Sequence, residues 1–119
     1  MKLCPLKIYC DCVGLTWSLS LETSRLDGRS FRLARGPLSG RGGEERVAEI
    51  GEQRQVDAII ARVGDDSIEP QELAVELMDL LLTLATDQPS EECIGFLTWR
   101  LREWVEASRR ARITHHFVA

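Results

Sequence analysis

The sequence predicts an α+β fold, in which an N-terminal β-hairpin precedes three or four helices packed around a central apolar helix. Up to residue 35 apolar residues alternate with polar ones, which is typical of strands. From residue 44 they recur every three or four positions, as they do in helices. A glycine-rich linker at 36–43 separates the two patterns. The length of 119 residues suits a single domain over 1–119.

The strand-rich N-terminal segment contains a strong turn signal. Asp27-Gly28 is typical of tight hairpins, because the two central residues of such a turn must tolerate positive φ. We therefore predict a hairpin of 16–24 against 30–35, and the alternation at 5–10 is compatible with a third strand. The alternative is that this arginine-rich segment is partly disordered.

The first helical pattern does not keep one phase. The apolar residues of 56–63 form a single stripe, whereas Val47 and Ile50 project onto the opposite side. Either one helix packs on two sides, or a break occurs near Gly51. Gly64 then follows the stripe, as is typical of a left-handed helix cap.

Residues 70–86 form the predicted central helix. Pro70 suits the first helical position, because its missing N–H costs nothing there. The polar residues of this segment form one narrow stripe, and a helix that is apolar over most of its circumference is buried by neighbours on several sides.

Ser90 is a typical N-cap for a last helix at 90–111, and Arg109 with its neighbours would stabilise the dipole at the C-terminal end of that helix. Residues 113–119 are predicted to be a tail. The predicted domain thus consists of a basic strand-rich segment (1–35), the linker (36–43), a helical core (44–112) and the tail (113–119).

The net charge of −4 is distributed unevenly along the chain. Residues 1–43 carry seven basic and three acidic side chains, and residues 44–98 carry three basic and fourteen acidic ones. Residues 99–119 carry five basic and two acidic side chains. Either the basic ends fold against the acidic middle, or the charged regions bind a partner of complementary charge.

The sequence excludes several classes of protein. No apolar run is long enough to cross a bilayer, and the N-terminus does not have the pattern of a signal peptide. We therefore expect a cytoplasmic protein with reduced thiols. The only histidines, His115 and His116, are adjacent near the end of the chain, so no base is positioned beside a nucleophile. We expect neither an enzyme nor a bound cofactor.

A zinc site is the most specific alternative reading of the cysteines. Cys4, Cys10 and Cys12 could join the two histidines in a thiolate and imidazole site. However, Cys10-x-Cys12 lacks the two-residue spacing of a zinc knuckle, and both residues would share one strand face, as core packing also requires. We predict ordinary thiols and no metal site.

Two aromatic residues give the leading functional hypothesis. Phe96 and Trp99 lie three residues apart on the last helix, off its apolar stripe, where aromatic side chains often anchor an interface unless a neighbouring element covers them. We predict a small non-enzymatic interaction protein, such as an inhibitor, antidote or accessory subunit, that binds a protein partner or a second copy of itself. The predicted partner-binding residues are Phe96, Trp99, Glu72, Glu76 and Asp79.

The alternative hypothesis is a nucleic-acid-binding regulator that uses the basic hairpin. Arginines pair with phosphates and aromatic rings stack on bases. In a hairpin, the same arginines can simply be the solvent-facing side chains. The residues concerned are Arg25, Arg29, Arg32, Arg35 and Arg41.

Overall fold

The computed structural model describes residues 4–23, 28–37 and 43–118, and describes side chains as far as residue 111. In this part of the chain four strands precede three helices, so the predicted α+β class is confirmed. The elements are β1 (Lys7–Cys12), β2 (Leu15–Thr23), β3 (Arg29–Pro37), β4 (Glu45–Ile50), α1 (Gln53–Val63), α2 (Pro70–Leu84) and α3 (Glu91–Val118).

The four strands form one antiparallel sheet in the order β1-β2-β3-β4. The predicted hairpin is confirmed as β2 against β3, whose pairing runs from Leu15 opposite Pro37 to Thr23 opposite Arg29. The third strand of the sequence prediction is β1. Asp27 of the predicted turn lies outside the described residues.

Residues 45–50, which were predicted to be helical, form β4 instead. A register shift against β3 leaves Val47 as an extra residue in β4. Because of this bulge, Val47 and Ala48 are both buried, and the strand loses the alternation that would identify it from sequence. The change of phase near Gly51 is therefore the boundary between a strand and a helix.

One face of the sheet carries the core. Ile8, Leu19, Leu33 and Ala48 lie side by side across the four strands, and all four are buried. All three helices contact the sheet, α3 at β1, α1 at β3 and α2 at β4. We call the opposite side, which carries Lys7, Tyr9, Asp11 and Arg32, the outer face of the sheet.

The helix α2 is less enclosed than the sequence predicts. It begins at Pro70, as predicted, and contacts α1, α3 and β4. However, Val75 and Leu84 are 44% and 47% exposed, because the neighbouring elements cover only one side of the helix. The helix is one of three that pack on the sheet and is not the centre of a bundle. Its buried residues are Leu73, Ala74, Leu77, Met78 and Leu81.

The helix ends differ from the predicted ones in two places. Gly64 follows α1 with a φ of −78°, so the predicted left-handed cap is wrong, and the glycine N–H donates to the Ile60 carbonyl in a right-handed conformation. The backbone of α3 continues to Val118, so the predicted tail is wrong as well. No glycine or proline follows residue 111, so the sequence contains no residue that would stop the helix there.

The turn between β1 and β2 is strained. Val13 and Gly14 form a two-residue loop, and both have positive φ, 48° and 77°. Glycine tolerates this conformation, but a β-branched side chain does not. Val13 is also 92% exposed, so packing of its side chain does not offset the cost of this backbone conformation.

Val13→Asn is expected to stabilise the protein by about 1 kcal/mol, because asparagine tolerates the left-handed conformation and Asn-Gly is the preferred pair in such turns. Denaturant unfolding would measure the change in the free energy of unfolding. Val13→Ala is the matched control, since it removes the branched side chain without favouring the turn. Equal effects of the two substitutions would contradict the proposed strain.

Candidate functional site

The aromatic pair predicted from the sequence is exposed on α3. Phe96 and Trp99 are 39% and 45% exposed, and their ring centroids lie 6.1 Å apart. The guanidinium of Arg100 lies 5.9 Å from the Trp99 ring centroid and pairs with Glu103 at 2.8 Å. The opposite side of the helix is buried, so the rings project away from the core. We call Phe96, Trp99 and Arg100 the aromatic patch.

The patch continues towards the β1–β2 turn. Phe96 lines a groove together with Cys10, Asp11 and Val13, and the side chain of Val13 adds apolar surface at the end of this groove. A second groove lies between the first half of β1 and the middle of α3, where its lining includes Lys7 and Arg100. The side of α3 that faces β1 is therefore accessible along most of the strand.

The three predicted carboxylates lie on the exposed side of α2. Glu72, Glu76 and Asp79 are all exposed, and their spacing places them on one side of the helix. Glu76 pairs with Arg62 of α1 at 2.8 Å, which offsets part of the negative charge of this side. Since α2 packs against α3, the acidic side and the aromatic patch occupy neighbouring helices.

The described arginines of the alternative hypothesis, Arg29, Arg32 and Arg35, do not form one surface. Arg32 lies on the outer face between Glu22 and Glu44, at 3.2 and 3.1 Å. Arg35 projects from the opposite face of β3, where it pairs with Glu45 and Asp87. Each of the two guanidiniums thus lies between two carboxylates. Three of these four carboxylates belong to the acidic middle of the chain. These ion pairs favour the interpretation that the basic hairpin is held by the acidic segment.

Of the remaining arginines of that hypothesis, Arg29 is exposed, and its backbone N–H donates to the Gln53 side chain at 2.7 Å. Arg25 and Arg41 lie outside the described residues. The structure therefore brings none of the predicted arginines together into a basic cluster within the described ranges.

Sequence reasoning missed a cluster of three thiols. Cys10 and Cys12, on the helix-facing side of β1, lie beside Cys93 at the start of α3, and all three line one groove. Cys12 is also 2.9 Å from the hydroxyl of Ser90, which caps α3 by accepting the backbone N–H of Cys93 at 3.2 Å. The Ser90 N-cap is thus confirmed. The sequence places Cys10 and Cys12 on one face of a strand and Cys93 on the apolar stripe of a helix. It does not show that these two surfaces meet.

The zinc alternative involved a different set of residues. Cys4 lies apart from the thiol cluster, at the other end of β1, where its carbonyl accepts a hydrogen bond from the Trp104 indole at 2.7 Å. The side chains of His115 and His116 lie outside the described part. Among the described residues, no group of three or more histidine, cysteine, aspartate or glutamate side chains could hold a metal ion.

Cys93→Ala is expected to reduce the loss of stability in alkaline solution. Burial, together with the neighbouring thiols of Cys10 and Cys12, raises the pKa of Cys93 above its ordinary value of 9.0. Above pH 9.0 the unfolded chain loses this proton and the native protein keeps it, so the free energy of unfolding falls as the pH rises. Below pH 9.0 the group makes no such contribution.

Denaturant unfolding below and above pH 9.0 would measure this effect, with Cys4→Ala as the matched control. The wild-type protein and the control should lose more stability across this interval than Cys93→Ala does. Parallel pH profiles of all three proteins would contradict the role of the buried thiol.

The chain matches no known protein-family model, no curated protein and no solved structure. Within the described ranges no helix is both long and apolar enough to cross a membrane.

Proposed function

We propose that this chain is a small non-enzymatic interaction protein, such as an inhibitor, antidote or accessory subunit. It binds a protein partner through the aromatic patch and the acidic side of α2. The observation that carries this proposal is the exposure of two large rings in contact with each other, Phe96 at 39% and Trp99 at 45%, on a helix whose other side is buried. Large exposed aromatic side chains are enriched among the residues that dominate binding energy.

The chemistry of the patch defines the partner. Trp99 and Phe96 present apolar ring surface, and the partner requires an apolar pocket that takes this surface out of water. Glu72 and Asp79 add negative charge on the neighbouring helix α2, so basic side chains outside the pocket would increase the association rate. Arg100, which pairs with Glu103, contributes little net charge. The proposed partner is therefore a protein with an apolar pocket and basic side chains outside it.

The compartment is part of the same proposal. All four cysteines are free thiols, although Cys10, Cys12 and Cys93 are neighbours. Unpaired neighbouring thiols suit a reducing compartment. We therefore propose a cytoplasmic location.

The test is affinity capture from the native host, identification of the captured protein, and titration of that purified protein with variants. Phe96→Ala and Trp99→Ala are each expected to weaken binding at least tenfold, as loss of about 1.4 kcal/mol would do. Leu84→Ala is the matched control, because Leu84 is equally exposed (47%) but lies at the end of α2. Unchanged affinity of both aromatic variants would exclude the patch as the binding site.

The acidic side is tested separately through its electrostatics. Glu72→Lys combined with Asp79→Lys is expected to slow association at low salt, and this difference should shrink as the salt concentration rises. The same salt series addresses the alternative of a nucleic-acid ligand, whose affinity would fall steeply with salt. An association rate that does not respond to the charge reversal would remove α2 from the proposed site.

A further inference from the structure

The strand β1 lies at one edge of the described sheet. It contains six residues without proline, and its register against β2 is regular from Lys7 to Cys12. Such an edge presents a row of backbone N–H and C=O groups that can pair with another strand. Natural proteins block edges with proline, bulges or several charges, but this strand carries only Lys7 and Asp11.

The sequence of β1 is complementary to itself in one antiparallel register. When Tyr9 lies opposite Tyr9 of a second copy, Lys7 lies opposite Asp11 of the second copy, and the reverse pair forms by symmetry. All three residues are on the outer face, so the two ion pairs flank the two tyrosines. A shift of two residues places Lys7 opposite Val13 in one direction, or opposite Tyr9 in the other, and removes both ion pairs.

The helix layer supports the same symmetry axis. The second half of β1 shares a groove with Phe96, and the first half shares a groove with Arg100 and Glu103. Tyr9, between the two halves, is therefore level with the aromatic patch. A two-fold axis through Tyr9 therefore brings the aromatic patches of two copies together. The charge register of β1 and the position of the patch are independent observations, and both favour this axis.

The position of α3 is also compatible with a continuous sheet. The helix α3 contacts β1, the edge strand. In a sheet that continues across β1, the α3 helices of the two copies would therefore lie next to each other on the same side of the sheet.

We infer that the chain forms a two-fold symmetric homodimer through its β1 edges. The dimer has a continuous eight-stranded sheet, and α3 packs against α3 of the second copy at Phe96. This inference rests in part on the proposed function and deepens it. A second copy of the chain is the partner that covers the side of the aromatic patch nearest β1. The acidic sides of α2 remain exposed at the two outer ends of the dimer.

Charge exchange on β1 tests the register. The wild-type protein should sediment at twice the chain mass of 13.4 kDa. Lys7→Glu and Asp11→Lys alone each place like charges opposite one another twice, and each should raise the dissociation constant of the dimer at least tenfold. The double variant Lys7→Glu/Asp11→Lys restores both pairs with reversed sign and should recover the wild-type constant to within about threefold, since opposite charges again face each other across the two strands.

The controls separate association from folding and from the binding of other partners. Arg54→Glu reverses a charge on α1, away from β1, and should leave the dimer unchanged, and circular dichroism should show all variants folded. A wild-type protein that is monomeric at every concentration would overturn the inference, and so would a double variant as weak as the single ones. Either result would leave the proposed function standing if Phe96→Ala and Trp99→Ala still weakened binding of the captured partner.

Discussion

Phe31→Ala is expected to lower the free energy of unfolding by about 3–5 kcal/mol. The Phe31 side chain is fully buried and lies between Leu21 of β2 and Ile50 of β4 in the helix-facing row of the sheet. Its ring meets the Trp104 ring edge to face, with centroids 5.8 Å apart. Truncation would leave a cavity between the sheet and α3 and would remove this aromatic contact.

Denaturant unfolding, followed by circular dichroism, would measure the loss. Phe96→Ala is the matched control, because it removes the same atoms from a side chain that is 39% exposed, and we expect it to cost less than about 1 kcal/mol. Domains of this size are stable by only about 5–15 kcal/mol, so the Phe31 substitution should remove a large fraction of the total. Similar costs at the two positions would contradict the assignment of Phe31 to the core.

Structure that depends on neighbouring residues could be predicted from the sequence. The β2–β3 hairpin follows from alternation on both sides of a turn, and the starts of α2 and α3 follow from Pro70 and Ser90. Each of these signals acts within a few residues of the element that it defines. The exposure of Phe96 and Trp99 follows in the same way, from their position off the helical stripe. Their role in binding stays a prediction.

Structure that depends on distant residues could not be predicted in this way. The strand β4 is set by its pairing with β3, and the bulge at Val47 hides its alternation. At the thiol cluster, Cys12 contacts Ser90, which is 78 positions away along the chain. This contact depends on how α3 lies over β1. The ion pairs of Arg32 and Arg35 likewise require knowledge of which carboxylates the fold places beside them. The charge blocks of the sequence indicate attraction but not its geometry.

Arg109 shows the same limit, because the sequence assigns it to the end of the last helix, whereas α3 continues to Val118. Its Nε donates to the Val63 carbonyl at 2.8 Å, and its Nη2 donates to the Asp65 carbonyl at 2.7 Å. These carbonyls lie at the C-terminal end of α1 and just beyond it, where helix carbonyls lack partners within the helix. The guanidinium therefore caps α1 from another helix, and its side chain is only 11% exposed.

Arg109→Ala is expected to lower the free energy of unfolding by about 3 kcal/mol, because each hydrogen bond from a charged donor contributes about 1.5–3 kcal/mol and two such bonds would be lost. The Asp65 carbonyl would keep its bond from the backbone N–H of Ile68. Hydrogen exchange should also become faster in the last turn of α1, near Val63, since this turn would lose the contact that fixes it to α3. Denaturant unfolding and exchange mass spectrometry would measure the two effects.

Two neighbouring substitutions distinguish this cap from a general effect of charge. Arg110→Ala removes the same charge from the next, exposed position, and we expect a cost below about 0.5 kcal/mol. Arg109→Lys keeps the charge but cannot direct two donors at two carbonyls, so its cost should lie between those of the alanine variants. If Arg109→Lys were as stable as the wild type, the charge alone would explain the stabilisation, and the contact between α3 and the end of α1 would not depend on the shape of the guanidinium.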